Sequence, residues 1–155
     1  MTIYCIDTSA LLDLRYRIYP PDVFPSLWEQ IDTLCETGRL IAPVDVREEL
    51  ARRDNEAYRW AKERPSMFVE LDEKIQAAVS EIMEKCAGIV DERRGTSRAD
   101  PFIVAVARVR EATVVTSETP RSTANARPKI PDACGVFGVP CVRVLPFLRA
   151  EGWRF

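Results

Sequence analysis

The sequence predicts an α/β fold built on a parallel sheet, and three observations predict it. Short apolar runs of strand character alternate with helical stretches along the chain. The connections between successive strands are long enough to hold helices, which calls for parallel pairing with right-handed crossovers. The length, 155 residues without a repeat or a linker, suits a single domain over 1–155 with a helical insertion at about 54–90. A domain of that size buries roughly 70% of its unfolded surface, so its core needs no disulfide or structural metal.

The first strand covers about residues 2–6, where Ile3, Tyr4, Cys5 and Ile6 form an apolar run. A helix follows from about 9 to 17, and "YPPD" breaks the chain. "FPSLWEQIDTLCETG" reads as a helix with Leu27, Ile31, Leu34 and Cys35 on one face and Gly38 as its stop. "RLIAP" is a second strand, and Pro43 leads into the helix "VDVREELARR". "NEAYRWAKER" continues helically to a break at Arg64-Pro65. "LDEKIQAAVSEIMEKCAG" is amphipathic, with Leu71, Ile75, Val79, Ile82 and Cys86 as its apolar stripe. "DERRGTSR" is a polar connection to the buried helix "DPFIVAVARVRE", with Asp100 as N-cap and Pro101 in the first helical position. "ATVVTS" is a third strand, 117–132 a loop, "VPCVRVL" a fourth strand and "PFLRAEGW" a final turn or helix. Helical spacing assigns Trp28, Leu34, Ile75, Val79, Ile103 and Val106 to the core.

Composition narrows the chemistry. Hydrophobic residues are 46% and charged residues 30%, an ordinary globular balance, and no apolar run reaches the ~20 residues of a membrane span. The net charge of −2 is not that of a protein that coats nucleic acid unaided, so such a contact needs a local basic patch or a counter-cation. The absence of histidine excludes Ser-His-Asp and Cys-His catalysis, His-ligated zinc and imidazole acid-base chemistry. Five cysteines without a CxxC pair, and no secretory signal, predict reduced thiols in a cytoplasm. Cys5, Cys35 and Cys86 read as core packing.

In an open parallel sheet, ligands bind beyond the carboxyl ends of the strands. Asp7 ends the first strand, and Thr116, Ser117 and Glu118 end the third. On the helix after strand two, Glu49 flanks the stripe set by Val46 and Leu50, whereas Glu48 points away. Asp100 opens the helix before strand three. Each acid has a plainer reading. Asp7 and Asp100 serve as caps equally well, Glu49 suits a solvated helix face, and Glu118 a loop. Together they are four acids that one sheet edge can gather. Two carboxylates ~4 Å apart repel by ~4 kcal/mol at an effective dielectric near 20, so gathering them calls for a cation. All-oxygen ligands favour Mg²⁺ or Mn²⁺, ions that activate water for in-line phosphoryl displacement. Arg15, Arg17, Arg52 and Arg53, then Arg93, Arg94 and Arg98, then Arg121, Arg127 and Lys129 offer a basic rim suited to phosphodiesters, or else an ordinary solvated surface.

The stretches "IDTSALLDL", "VREEL", "ADPFIVAVA" and "VVTSE", in that order over about residues 3–118, resemble the PIN-domain ribonucleases, including VapC-type toxins of toxin–antitoxin pairs. The resemblance implies a three-layer α/β/α domain and Mg²⁺- or Mn²⁺-dependent endoribonuclease activity. It carries metal-ligand and catalytic roles onto Asp7, Glu49 and Asp100. It also implies a homodimer, and an antitoxin segment docked near the acids. The family's fourth acid is usually an Asp after the Thr. Here Glu118 stands in "TSE", and Asp132, otherwise a turn acid after Pro131, is the less favoured substitute. Thr8, Ser9, Thr116, Ser117 and Arg121 are the expected substrate contacts. Two other functions compete: a PIN-like module that binds a partner without cutting, and a phosphatase or phosphotransferase using Asp7 as nucleophile. The haloacid-dehalogenase-like form of the latter wants a second Asp where this chain has Ser9.

Overall fold

The computed structural model describes residues 1–90 and 99–155. The connection "DERRGTSR", with Arg93, Arg94 and Arg98, lies outside the described residues. The strands β1 (Tyr4–Ile6), β2 (Leu40–Pro43), β3 (Phe68–Val69), β4 (Thr113–Val115) and β5 (Cys141–Val142) form one parallel sheet in the order β3-β2-β1-β4-β5. Tyr4 is in register with Leu40 on one side and Thr113 on the other, and Cys5 with Ile41 and Val114. A central parallel strand is covered on both faces, which is why "YCI" carries no polar alternation and is wholly buried.

The helices are α1 (Thr8–Leu12), α2 (Pro25–Glu36), α3 (Val44–Arg53), α4 (Asn55–Lys62), α5 (Glu73–Lys85), α6 (Asp100–Arg110), α7 (Ile130–Phe137) and α8 (Val144–Ala150). The arrangement is a three-layer α/β/α fold. Helix α6 lies against β1, β2 and β4, with α5 and α7 beside it. Helices α2 and α3 pack on β2, and right-handed crossovers place them on the other face. Helix α1 runs on into wider π-type turns over Asp13–Ile18, where the Tyr19 N–H reaches back five residues to the Leu14 carbonyl at 2.9 Å. Gly38, at φ +73°, ends α2 as its sequence predicts.

All six residues assigned to the core are buried, as are Cys5, Cys35 and Cys86. The structure corrects four boundaries. The 54–90 segment, expected to be helical, also supplies the edge strand β3 between α4 and α5. Helix α7 lies where a loop was expected up to 132. The "VPCVRVL" strand shrinks to Cys141–Val142, because Arg143 caps α8 and Pro146 sits in that helix's first turn. Leu71 leaves the α5 stripe and is 48% exposed, because the Asp72 carboxylate accepts the Ile75 N–H at 2.8 Å and starts the helix after it. No helix among the described residues is long and apolar enough to cross a membrane.

Candidate active site at the carboxyl edge of the sheet

The strand order reverses between β1 and β4, whose following segments leave toward opposite faces of the sheet and open a crevice there. Asp7 lies at this crevice. Its N–H donates to the Val115 carbonyl at 3.0 Å and prolongs the β1–β4 pairing. Its side chain then turns to α1, where Oδ1 accepts the Ala10 N–H at 2.7 Å as an N-cap. Ser9 Oγ lies 2.9 and 3.0 Å from the two carboxylate oxygens, and Thr116 Oγ1 donates to Oδ2. Asp7 is therefore both a cap and an acid at the sheet edge. It is 2% exposed, and burial pushes its carboxyl up to about 6. The bonds from Thr116, Ala10 and Ser9 pull the other way, and the Glu118 charge adds to the rise.

Glu49 is 8% exposed while Glu48 is exposed, as the wheel predicts. Arg53 Nη1 donates to Glu49 Oε1 at 3.2 Å. Asp100 is 5% exposed and is the first residue of α6 rather than its cap; Ala99 occupies the cap position. Helix α6 descends to β4, so its amino end lies at the carboxyl edge of the sheet. Glu118 is half-buried: its N–H donates to Thr116 Oγ1 at 3.0 Å, and its Oε2 accepts the Ile130 N–H at 3.0 Å. Asp132 points to its own loop, accepting the Lys129 N–H at 2.8 Å and the Arg121 N–H at 3.0 Å.

A cleft of about 510 Å³ lies against this edge, lined by Ser9, Tyr16, Arg17, Arg53, Ser117 and Glu118 among others; of the four expected acids only Glu118 lines it. Thr8 and Thr116, two of the expected substrate contacts, are buried, and Thr116 donates a hydrogen bond to Asp7. Arg121 is exposed and reaches the Ala126 carbonyl at 3.4 Å. Among the described residues, two members of the expected basic rim are engaged elsewhere. Arg15 turns inward, 5.1 and 5.8 Å from the Trp28 and Trp60 ring centres, and Arg127 bonds the Ile89 carbonyl at 2.8 Å. Tyr16 and Asp54 in the cleft wall were missed by the sequence reading. They follow from the π-type turns and the α3–α4 junction, which carry no periodic signal.

Among the described residues no three Asp, Glu or Cys side chains stand close enough together to hold an ion. The donor set nevertheless suits a hard cation: carboxylates and hydroxyls, with Thr8 Oγ1 a buried oxygen that has no hydrogen-bond partner among the described residues.

Residues 4–155 match the model of the family described as a domain of unknown function, DUF4411. The chain belongs to this family. No curated protein matches its sequence. Among solved structures, the chain is similar to VapBC2 from Rickettsia felis, bound to a DNA fragment from their promoter. That match has 14% identity over 92% of this chain and 99% of that one, with a TM-score of 0.48. It is also similar to VapBC-1 from nontypeable Haemophilus influenzae, at 16% identity over 92% of this chain and 98% of that one, with a TM-score of 0.54. The second likeness shows that this DUF4411 chain shares the α/β/α fold and parallel-sheet topology of that protein.

Proposed function

We propose that this protein is a PIN-type endoribonuclease that hydrolyses RNA phosphodiester bonds with Mg²⁺ or Mn²⁺. One observation carries the reading. The buried polar side chains among the described residues are Asp7, Thr8, Glu49, Asp100 and Thr116. Three are carboxylates, and the topology sends them toward the carboxyl side of one sheet. Carboxylate and hydroxyl oxygens gathered on one side of a sheet suit a hard divalent cation.

Asp7, Glu49 and Asp100 would hold the cation, with Glu118 as the fourth acid. Glu118 lines the cleft beside Asp7, whereas two backbone amides occupy Asp132. When bound, the ion supplies an activated water and neutralises charge on the phosphoryl group. The protein's own residues do the rest. Ser9, Thr116 and the Ala10 amide fix the Asp7 carboxylate, Ser9 and Ser117 face the cleft, and Arg17 and Arg53 stand where a phosphate backbone would pass. Glu49 and Glu118 must exchange their present partners, Arg53 and the Ile130 amide, to become ligands. Those engagements favour the second reading, a module of the same fold that binds a partner without cutting.

The fold likeness to a VapBC protein supports an antitoxin as that partner in either case. A homodimer belongs to the same proposal, with the exposed Leu71 and Met83 of the 54–90 segment as its apolar contacts. Five free cysteines fit a reducing cytoplasm. Cleavage of RNA with and without Mn²⁺, run beside Asp100→Asn, tests the proposal. Metal-dependent cleavage by the parent and none by the variant is expected. A parent that neither cuts RNA nor binds Mn²⁺ leaves the partner-binding module.

A further inference from the structure

The cleft beside Asp7 has one aromatic wall. Tyr16 lies in the π-type turns and is 41% exposed. An exposed aromatic side chain usually swings freely, but this one is pinned at its far end. Its hydroxyl donates to Asp54 Oδ1 at 2.6 Å, and Asp54 is itself held as the N-cap of α4 by the Ala57 N–H at 2.8 Å. The Ala57 amide and the Tyr16 hydroxyl keep Asp54 below the usual carboxylate range. Burial and the Asp54 bond push the Tyr16 hydroxyl up to about 12, so it stays a donor. The ring is thus a fixed platform facing a cavity whose size, about 510 Å³, is within the range of small-molecule sites. Two arginines, Arg17 and Arg53, line the same cleft. Arg17 is paired with Asp13 at 3.3 Å and Arg53 with Glu49 at 3.2 Å, and both side chains are exposed.

A pinned aromatic ring and two cations lining one cleft match the components of a single strand, bases and phosphates. We propose that Tyr16 stacks on an unpaired base of the RNA strand in this cleft, while Arg17 and Arg53 meet the phosphates on either side. This rests on the ribonuclease reading and adds a positioning residue to it. Stacking accepts any base, so the site requires that a base be present and unpaired and does not select which one. Duplex RNA, with its bases already stacked, is excluded from the platform.

The test is fluorescence anisotropy in Ca²⁺ buffer, with a short single-stranded RNA and copies of it carrying one abasic site walked along the strand. The parent protein is expected to lose about fivefold or more in affinity when the abasic site reaches one position. Tyr16→Leu should bind the intact strand and that abasic strand equally, and Tyr16→Phe, which keeps the ring but frees it from Asp54, should discriminate less than the parent. If Tyr16→Leu does not fold, Tyr16→Trp carries the test, because a larger aromatic face keeps the discrimination. A folded Tyr16→Leu that discriminates as the parent does overturns the stacking role and leaves the nuclease reading intact. Equal discrimination at every position by the parent does the same. A parent that binds none of the strands overturns both.

Discussion

At the amino edge of the sheet, Arg39 grips Glu151 through two bonds of 2.7 and 2.8 Å, and the Tyr4 hydroxyl adds a third at 2.9 Å. At the carboxyl edge, Asp7 receives bonds from hydroxyls and an amide among the described residues. Tyr4 opens the same strand that Asp7 follows, so the two edges stand three residues apart in sequence. Their acids respond in opposite directions. The Arg39 bond holds Glu151 below the usual carboxylate range, and burial lifts Asp7 to about 6. At one end a partly buried acid is tied to a cation and holds the fold together; at the other, Asp7 sits among hydroxyls and an amide, the setting from which the metal site is proposed.

The largest expected effect breaks that asymmetry chemically. Asp7→Asn or Asp100→Asn should lower RNA cleavage by at least about a hundredfold, since even groups one shell beyond a metal typically cost 10–100-fold. Glu151→Ala should leave cleavage unchanged. Within the carboxyl edge, Glu49→Gln should impair cleavage far more than Glu48→Gln, because Glu49 is buried toward the site and Glu48 faces water. Equal rates for these two variants would remove Glu49 from the site.

The second effect is on stability and has a sign. A folded-state value near 6 for Asp7, against 3.8 for the free group, means the folded protein binds the extra proton between those values. Stability from this group is therefore full below about pH 4 and falls as pH rises to about 6, by roughly 3 kcal/mol in all. Glu151 runs the other way: its contribution is present above the unfolded carboxylate value and is lost as pH falls through the lowered one. Denaturant melts from pH 4 to 7 should show the Asp7 slope in the metal-free parent and not in Asp7→Asn. Millimolar Mn²⁺ should raise the parent's melting temperature and not that of Asp100→Asn. A parent with no slope in this range would mean that Asp7 is already neutralised by a cation partner.

Breaking the amino edge comes third. Glu151→Ala leaves Arg39 and Tyr4 without their acceptor and should cost roughly 2–3 kcal/mol, less than for a fully buried pair because Arg39 retains some water contact.

The sequence disclosed the two edges unequally. Asp7, Glu49 and Asp100 were legible because each stands at a fixed offset from a strand or an apolar stripe, and periodicity gives such positions. The Arg39–Glu151 pair was not legible, since it joins residues far apart through the return of α8 beneath β1. Strand β3 has two residues, too few to show a period, and exists because β2 offers it an edge. Helix α7 contains Pro131 and Gly135, poor helix formers, and is started by Asp132 and by Glu118 from twelve residues upstream. Where local propensity agreed with tertiary packing the elements could be read, and where long-range bonds decided, they could not.

The smallest effect is the most pointed. Thr8 Oγ1 is buried without a hydrogen-bond partner among the described residues, one residue from an acid whose cap bond already serves α1. An unmet buried hydroxyl is a cost in the metal-free protein, so Thr8→Val, which keeps the shape, should be neutral or stabilising by about 1 kcal/mol. In Mn²⁺ the order should invert: if the hydroxyl contributes an oxygen to the ion or to its water shell, the Mn²⁺-induced rise in melting temperature will be smaller in Thr8→Val than in the parent. The same substitution at the amino edge has no equivalent, because each polar atom of Glu151 already has its bond. Two melts of each protein, with and without Mn²⁺, decide it. A metal-free Thr8→Val that melts well below the parent would show the hydroxyl to be satisfied in solution, and the carboxyl edge would then be as fully bonded at Thr8 as the amino edge is at Glu151.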